Sequence, residues 1–403
     1  MSPFLQRLLP PDPPFNPMVF TRRPVVHRFW VGGVISALIG FGMGFFLWAW
    51  QQGLLPVPAF YPHIKLWHAR IQIILFAGSF LLGFALQSGP HVIGGTPPPA
   101  RHLLRLLLPL WSGFVISLLF DGWLLTLGNL LVTLACLGAV YFLVRITLSG
   151  DPLRRLQRGI PLTISFLPLA ISPWLALDNP DQALWVLWCG PVTSALVAGQ
   201  QLIQNVLGGK LLQGNMARLF AGGLLAAWLV TTLAAFVNPA FWPWAGLAWV
   251  VVLALLLIGT DFLRAAAVFG LASINVTLVL GFAAALACAM WLAWSGPAPA
   301  LDGPVHLLGA GMLTLLILGV AARVVSFFAD RAALNDRLLC YLLLLWGLLA
   351  LARVGTALGR PLPQPVLAGL ILLGTLLLIL WSTRLAISLW RISRKITPAL
   401  LDQ

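Results

Sequence analysis

Pro62-His63-Ile64-Lys65-Leu66-Trp67-His68-Ala69-Arg70-Ile71-Gln72 runs directly into the apolar segment Ile73 to Leu86. A histidine, an arginine and a glutamine at the mouth of a membrane-spanning run are costly to desolvate, so a chain that keeps them there uses them. His68 is the first candidate to bind a metal or a heme.

The rest of the chain supports the membrane reading. Its 403 residues are 60% hydrophobic and 8% charged, too few charges to cover a soluble globule of this size. Apolar stretches of helical length recur from Trp30 to Trp390, each sufficient to cross about 30 Å of hydrocarbon. Unbroken Leu, Ala and Val runs exclude a β-barrel, whose strands alternate polar and apolar residues. The net charge of +14 does not point to nucleic acid, because the basic residues fall in short clusters between spans.

The expected fold is all-α and polytopic, with about twelve transmembrane helices. They lie near residues 30–50, 66–88, 104–121, 125–147, 159–177, 182–207, 218–237, 241–260, 266–294, 303–328, 338–357 and 364–390. Residues 1–29 form an N-terminal tail, 30–390 the membrane domain and 391–403 a C-terminal tail. Very short connections are needed at Asp121-Gly122 and Asn238-Pro239. The N-terminus lacks a continuous apolar h-region and reads as a cytoplasmic tail, not a cleaved signal.

The positive-inside rule agrees with this count. One side receives Arg7, Arg22, Arg23 and Arg28, then Arg101 and Arg105, Arg145 to Arg158, Lys210 and Arg218, Arg264, Arg323, Arg331 and Arg337, and Arg384 to Lys395. The other side receives Lys65, Arg70, Arg353 and Arg360, with Asp121, Asp178, Asp181 and Asp302. Both termini are therefore expected in the cytoplasm. Trp30, Trp67, Trp185, Trp242, Trp244, Trp294 and Trp390 fall near span ends and read as an interfacial aromatic belt.

An internal echo links His91-Val92-Ile93-Gly94-Gly95, at the end of the second helix, to Asn205-Val206-Leu207-Gly208-Gly209, at the end of the sixth. The other histidine-headed span, the tenth helix, lies four helices further on. Three sets of four helices follow, with the second, sixth and tenth equivalent.

Of the six histidines, His68 and His306 head the second and tenth helices on the same side. As neighbours they could take opposite faces of one b-type heme iron, which needs two neutral imidazoles in a dry pocket; polar residues at a membrane interface are the other reading. Arg353 and Arg70 are the cations available for heme propionates in that half of the membrane, Arg353 being the better placed; snorkelling to headgroups is their alternative role. His63 could join His68 at a surface copper ion only if the loop bends back. His91, His102 and His27 read as solvated residues at the cytoplasmic side.

On the sixth helix Gln200, Gln201, Gln204 and Asn205 read as glue between helices or the lining of a polar cavity. Gly309, Gly311, Thr314 and Gly319 offer small residues for close packing on the tenth, and Arg323 and Ser326 a topological or capping role at its end. Cys136, Cys189, Cys288 and Cys340 all lie in apolar spans without paired spacing, which argues against disulfides, thiolate metal sites and c-type heme. No nucleotide loop, zinc-protease motif or nucleophile triad is present. Asp261 lies at a span boundary, so no intramembrane carboxylate relay is indicated.

Leu66-Trp67-His68-Ala69-Arg70, Gly89-Pro90-His91-Val92-Ile93-Gly94-Gly95, His306-Leu307-Leu308-Gly309-Ala310-Gly311 and Leu318-Gly319-Val320-Ala321-Ala322-Arg323 resemble the NnrS family of bacterial heme- and copper-containing membrane proteins. Gly199-Gln200-Gln201 to Gly208-Gly209 resembles the corresponding family region less specifically. With the twelve-helix count, the likeness covers nearly the whole chain. It implies a protein of the bacterial inner membrane with a role in nitric oxide tolerance. The family shows Trp-His-Ala-His-Glu at its first site, where this chain has Arg70 and Ile71, so copper is not carried over and His63 is its only remaining candidate.

More distantly the chain is similar to the catalytic subunit of heme-copper oxidases and nitric oxide reductases, with histidines on helices 2 and 10 holding a low-spin heme and arginines near helix 11 holding its propionates. The additional histidines of the oxidase binuclear centre are absent. Oxygen reduction and proton pumping are not implied. The expected function is NO-related heme chemistry, by scavenging, sensing or electron transfer from a quinol or other donor; a secondary transporter or a cofactor-free assembly protein is the alternative.

Overall fold

The computed structural model describes residues 25–296, 299–329, 332–360 and 362–401. Arg7, Arg22, Arg23, Arg331 and most of the N-terminal tail, read above from sequence, lie outside the described residues. All regular structure among the described residues is helical.

In chain order the long helices are α1 His27–Gln51, α2 Tyr61–Ile93, α3 Arg101–Leu119, α4 Gly122–Ser149, α5 (residues 152–171), α6 Pro180–Leu207, α7 Gly214–Phe236, α8 Pro239–Gly259, α9 Ser273–Trp294, α10 Asp302–Ser326, α11 Asp336–Ala357 and α12 Gln364–Arg394. Eleven of them, all except α5, are long and apolar enough to cross a membrane. The chain is a multi-pass membrane protein whose natural surroundings are a lipid bilayer.

The single span expected over 159–177 is instead interrupted. Prolines 161, 168 and 173 each lack an amide proton and crowd the preceding turn, and the helix is divided at Ser165 and Phe166 into Ile160–Ile164 and Leu167–Ile171. Both dividing residues keep right-handed helical dihedrals, so α5 is kinked and not unwound. The span expected over 266–294 also divides. Gly270 has φ +52 and separates the short helix Phe262–Phe269 from α9. The tight connections at Asp121-Gly122 and Asn238-Pro239 are present, Asn238 capping the turn that follows through the amide of Ala240 at 2.9 Å.

Three helices form the centre. Of the apolar windows of α2, α6 and α10, 72%, 83% and 72% is buried, against 50% or less in the other eight spans. Each of the three contains a π-turn: Ile71–Ala77, Trp188–Val192 and Leu307–Leu313; a fourth, Arg155–Gly159, lies in α5. The π-turns of α2 and α6 both pack on that of α10, and the C-terminal halves of α2 and α6 meet each other. Around them α12 packs on α1, α3 on α4, α7 on α8 and α8 on α9.

A π-turn frees carbonyls from the regular ladder, and this structure satisfies several with side chains. Thr193 Oγ1 donates to the Trp188 carbonyl at 2.8 Å and Thr314 Oγ1 to that of Gly309 at 2.7 Å, both five residues back. The indole of Trp346 donates to the Ala310 carbonyl at 3.0 Å. Pro191 within the turn of α6 gives one local cause, since its ring cannot fit a regular helical turn.

The Gly-Gly echo is a matched pair of helix ends. Gly94 and Gly208 stop α2 and α6 with φ of +74 and +69, a region that costs other residues a Cβ clash. The glycine that follows presses on the end of a later helix: a Cβ on Gly95 would run into the Ile146 carbonyl of α4, and one on Gly209 would sit 2.7 Å from the Thr260 carbonyl after α8. The next amides hydrogen-bond to the same places, Thr96 to Ser149 Oγ at 2.8 Å and Lys210 to the Thr260 carbonyl at 2.8 Å.

Several polar and aromatic expectations change in three dimensions. Trp244, Trp294 and Trp390 are exposed as a belt requires, but Trp30, Trp185 and Trp242 are buried. Their indoles donate to the Phe80 carbonyl, Thr232 Oγ1 and Asp181 Oδ1, so they join helices together. His27, expected to be solvated, is also buried, as are Phe29 and Trp30 beside it, while Arg28 is exposed.

Candidate functional site

The N-terminal ends of α2, α6 and α10, with parts of α1 and α11, enclose a cavity of about 370 Å³. That lies in the usual range for sites taking a cofactor or drug-sized ligand. Its deep walls are apolar, with Phe41, Phe76, Leu187, Leu313 and Trp346; at one end stand Lys65, His68, Asp178, Asp302, His306 and Arg353.

His68 and His306 thus share one cavity. Each occupies the helical turn just before a π-turn, where the helix widens and turns its face. His68 Nδ1 is 2.8 Å from the Gly40 carbonyl of α1, and His306 Nδ1 is 2.8 Å from the Asp302 carbonyl one turn earlier on α10. A carbonyl only accepts, so both rings carry their proton on Nδ1 when neutral and offer a bare Nε2. A carbonyl held against one ring nitrogen orients an imidazole so that the other nitrogen is free to meet a metal. Glycines make the room: a Cβ on Gly44 would be 2.7 Å from His68 Cε1, whereas one on Gly309 would meet only open space.

The charged end is partly neutralised within itself. Arg353 Nη2 donates to Asp302 Oδ2 at 3.0 Å, while the other carboxylate oxygen lies 3.4 Å from His306 Nδ1. Arg353 therefore lines the cavity as expected, already engaged by a carboxylate that an incoming anionic group must share or displace. Lys65 is a second cation on the wall, passed over in the sequence because an exposed lysine before a span reads as topology. Gln72, four residues after His68, also lines the cavity, and its Nε2 is buried without a hydrogen-bond partner.

Two other candidates fall elsewhere. Arg70 is not on the cavity wall; its Nη2 donates to the Pro173 carbonyl at 3.3 Å, toward the end of α5. Two residues beyond His68 means a rotation of about 200° on a helix, which turns it away. His63 is exposed and likewise absent from the wall. Among the described residues no group of three or more His, Cys, Asp or Glu is placed to hold a metal ion.

The amides of α6 serve another purpose. Gln201 Nε2 donates to Asn205 Oδ1 at 2.9 Å, and its Oε1 accepts from Arg158 Nη1 at 3.1 Å. Arg158 is buried and also donates to the Val92 carbonyl at 3.3 Å, tying α5, α6 and the end of α2 together. Arg323 lies 3.6 Å from Asp336 across the connection from α10 to α11. The four cysteines are buried and free. No protein-family model matches this chain, and no curated protein matches it significantly.

Proposed function

We propose that the chain is a heme-binding protein of the bacterial inner membrane, of NnrS type, in which His68 and His306 would hold the iron of one b-type heme. The observation that carries this reading is the pair of imidazoles on one cavity wall, each oriented through Nδ1 by a backbone carbonyl and each leaving Nε2 for a metal. Arg353 and Lys65 are the cations that would meet the propionates, with Arg70 set aside by its direction. Heme would supply one-electron chemistry. The protein's share is to hold the imidazoles and to surround the macrocycle with apolar walls.

The NO-related role, in scavenging, sensing or electron transfer from a quinol or other donor, rests on the resemblance at Trp67-His68-Ala69 and His306 to Gly311. Copper is left out of the reading because His63 and Arg70 do not join His68. A twelve-crossing, heme-copper-oxidase-like topology with cytoplasmic termini belongs to the same proposal. Its support is that Lys65 on α2, Ala183 on α6 and Val305 on α10 line one cavity. The starts of the three helices then share an end of the bundle, a reading in which α5 counts as a traverse. Matching π-turns and the paired Gly-Gly locks support three sets of four.

Absorption and electron paramagnetic resonance spectra of the purified protein test the assignment. A low-spin bis-histidine spectrum that is altered in His68→Ala and in His306→Ala is expected. A preparation from heme-replete cells without a Soret band, or a band unchanged in both variants, would overturn it.

A further inference from the structure

The connection from α8 to α9 contains the short helix Phe262–Phe269, bracketed by two residues in the left-handed region, Asp261 at φ 57 and Gly270 at φ +52. Its 8 residues make about 12 Å of helix, too short to cross about 30 Å of hydrocarbon. Both α8 and α9 are long and apolar enough to span, so the helix between them stays at one rim of the bundle.

One face of this helix is fixed to the protein. Phe262, Ala265 and Ala266 are buried, and the Phe262 ring meets Phe282 of α9 edge-on with centroids 5.4 Å apart. Asn275 of α9 donates through Nδ2 to the carbonyls of Ala266 at 2.8 Å and Gly270 at 2.7 Å, which ties down the helix end. The opposite face is apolar and bare: Leu263, Val268 and Leu271 are 74%, 79% and 78% exposed. An open apolar patch of this kind marks a contact surface. It follows directly on Ile258, 73% exposed in the last turn of α8, so it prolongs a face that the bilayer already covers.

The charges at this corner are unbalanced. Lys210, just after α6, and Arg264 both approach Asp261 Oδ2, at 3.5 and 3.6 Å, and their side chains are 72% and 80% exposed. Two cations thus share one carboxylate oxygen through long, solvent-screened contacts, which hold little energy. One positive charge is left over beside the apolar face.

We propose that the helix Phe262–Phe269 is a surface anchor for a phospholipid with a net negative headgroup. Leu263, Val268 and Leu271 enter the boundary between acyl chains and headgroups, as the apolar face of an interfacial helix does, while Arg264 and Lys210 extend to the headgroup. A zwitterionic headgroup carries its own cation, which the basic pair repels. None of these residues lines the histidine cavity, so the anchor stands whether or not heme is bound.

Leu263→Cys and, separately, Val268→Cys in the full chain, labelled with a fluorophore and reconstituted into phosphatidylcholine vesicles, test this; the four native cysteines are buried and stay unlabelled. Nitroxide-bearing phosphatidylglycerol is expected to quench both labels at several-fold lower content than nitroxide-bearing phosphatidylcholine, and aqueous iodide to leave them bright. Lys210→Gln combined with Arg264→Gln is expected to remove the preference between lipids while the labels stay out of reach of iodide. Quenching by iodide, which places the face in water, shielding from both lipids, which places another protein on it, or equal quenching by the two lipids would overturn the proposal. So would a preference that survives the double substitution, or one that millimolar inorganic phosphate abolishes, which assigns the basic pair to a soluble anion.

Discussion

The Nδ1 of His68 and the carbonyl oxygen of Gly40 lie 2.8 Å apart, so α1 sets the orientation of an imidazole carried by α2. Gly40 can approach this closely because it has no side chain: a Cβ there would be 2.8 Å from Gln72 Nε2 and 2.9 Å from Ile71 Cγ2. Gly40→Ala is expected to push α1 away and release the ring. Loss of such an outer-shell partner typically lowers metal affinity about 10–100-fold, and heme-to-protein stoichiometry after dilution will show it. Gly44→Ala, whose Cβ would crowd His68 Cε1 directly, is expected to act in the same direction.

Asp302 has two separable functions. Its backbone carbonyl orients His306, while its carboxylate pairs with Arg353. Asp302→Asn keeps the first and loses the second, so the heme spectrum is expected to persist while the melting temperature falls. Because the Asp302 side chain is 53% exposed, the loss should be about 1 kcal/mol or less. Thermal scans in detergent, followed at the Soret band and by tryptophan fluorescence, compare the two.

The Gly-Gly locks predict a pair of matched defects. Gly95→Ala and Gly209→Ala each insert a methyl group against a helix-end carbonyl, and overpacking of this kind costs about 1–3 kcal/mol. Gly94→Ala and Gly208→Ala strain the backbone instead, at about 1–2 kcal/mol for a left-handed residue. All four should lower thermal stability. Retained heme in the survivors would show that the defects lie far from the cavity.

Arg158 has no acidic partner among the described residues, and its hydrogen bonds go to the Val92 carbonyl and Gln201. Arg158→Leu strands the buried Val92 carbonyl, at about 1–3 kcal/mol, and removes a partner from the half-buried Gln201 Oε1. Arg158→Lys, with a single point of donation, is expected to recover only part of that. Limited proteolysis near the α4 to α5 connection, together with the melting temperature, measures the order of the three proteins.

Much of the membrane architecture is legible in the sequence because span length and apolar composition are one-dimensional properties. The positions of α1 to α4, α6 to α8 and α10 to α12 follow from them, and that of α9 from Ser273 onward. His68 and His306 are legible for the same reason: a histidine at the mouth of an apolar helix stands out. What the sequence does not carry is direction. Arg70, two residues from His68, faces α5, while Gln72 and Lys65 join the cavity. Trp30, Trp185 and Trp242 sit near span ends like belt residues, yet each is turned inward to hold another helix. The division of α5 was available from Pro161, Pro168 and Pro173, which a hydropathy average smooths away. The π-turns had little local signal apart from Pro191; they depend on Thr193, Thr314 and Trp346 reaching particular carbonyls in three dimensions.

Those wide turns in α2, α6 and α10 act as phase shifters. One extra residue rotates everything after it by about 100° on an α-helix, and a π-turn absorbs that rotation within itself. The halves of each central helix are thereby indexed separately: the portion carrying His68, Trp185 or His306 can be re-aimed while the portion beyond keeps its partners. A common scaffold can in this way present a histidine to the cavity from two of its three central helices while Trp185 on the third is turned to Thr232 of α7.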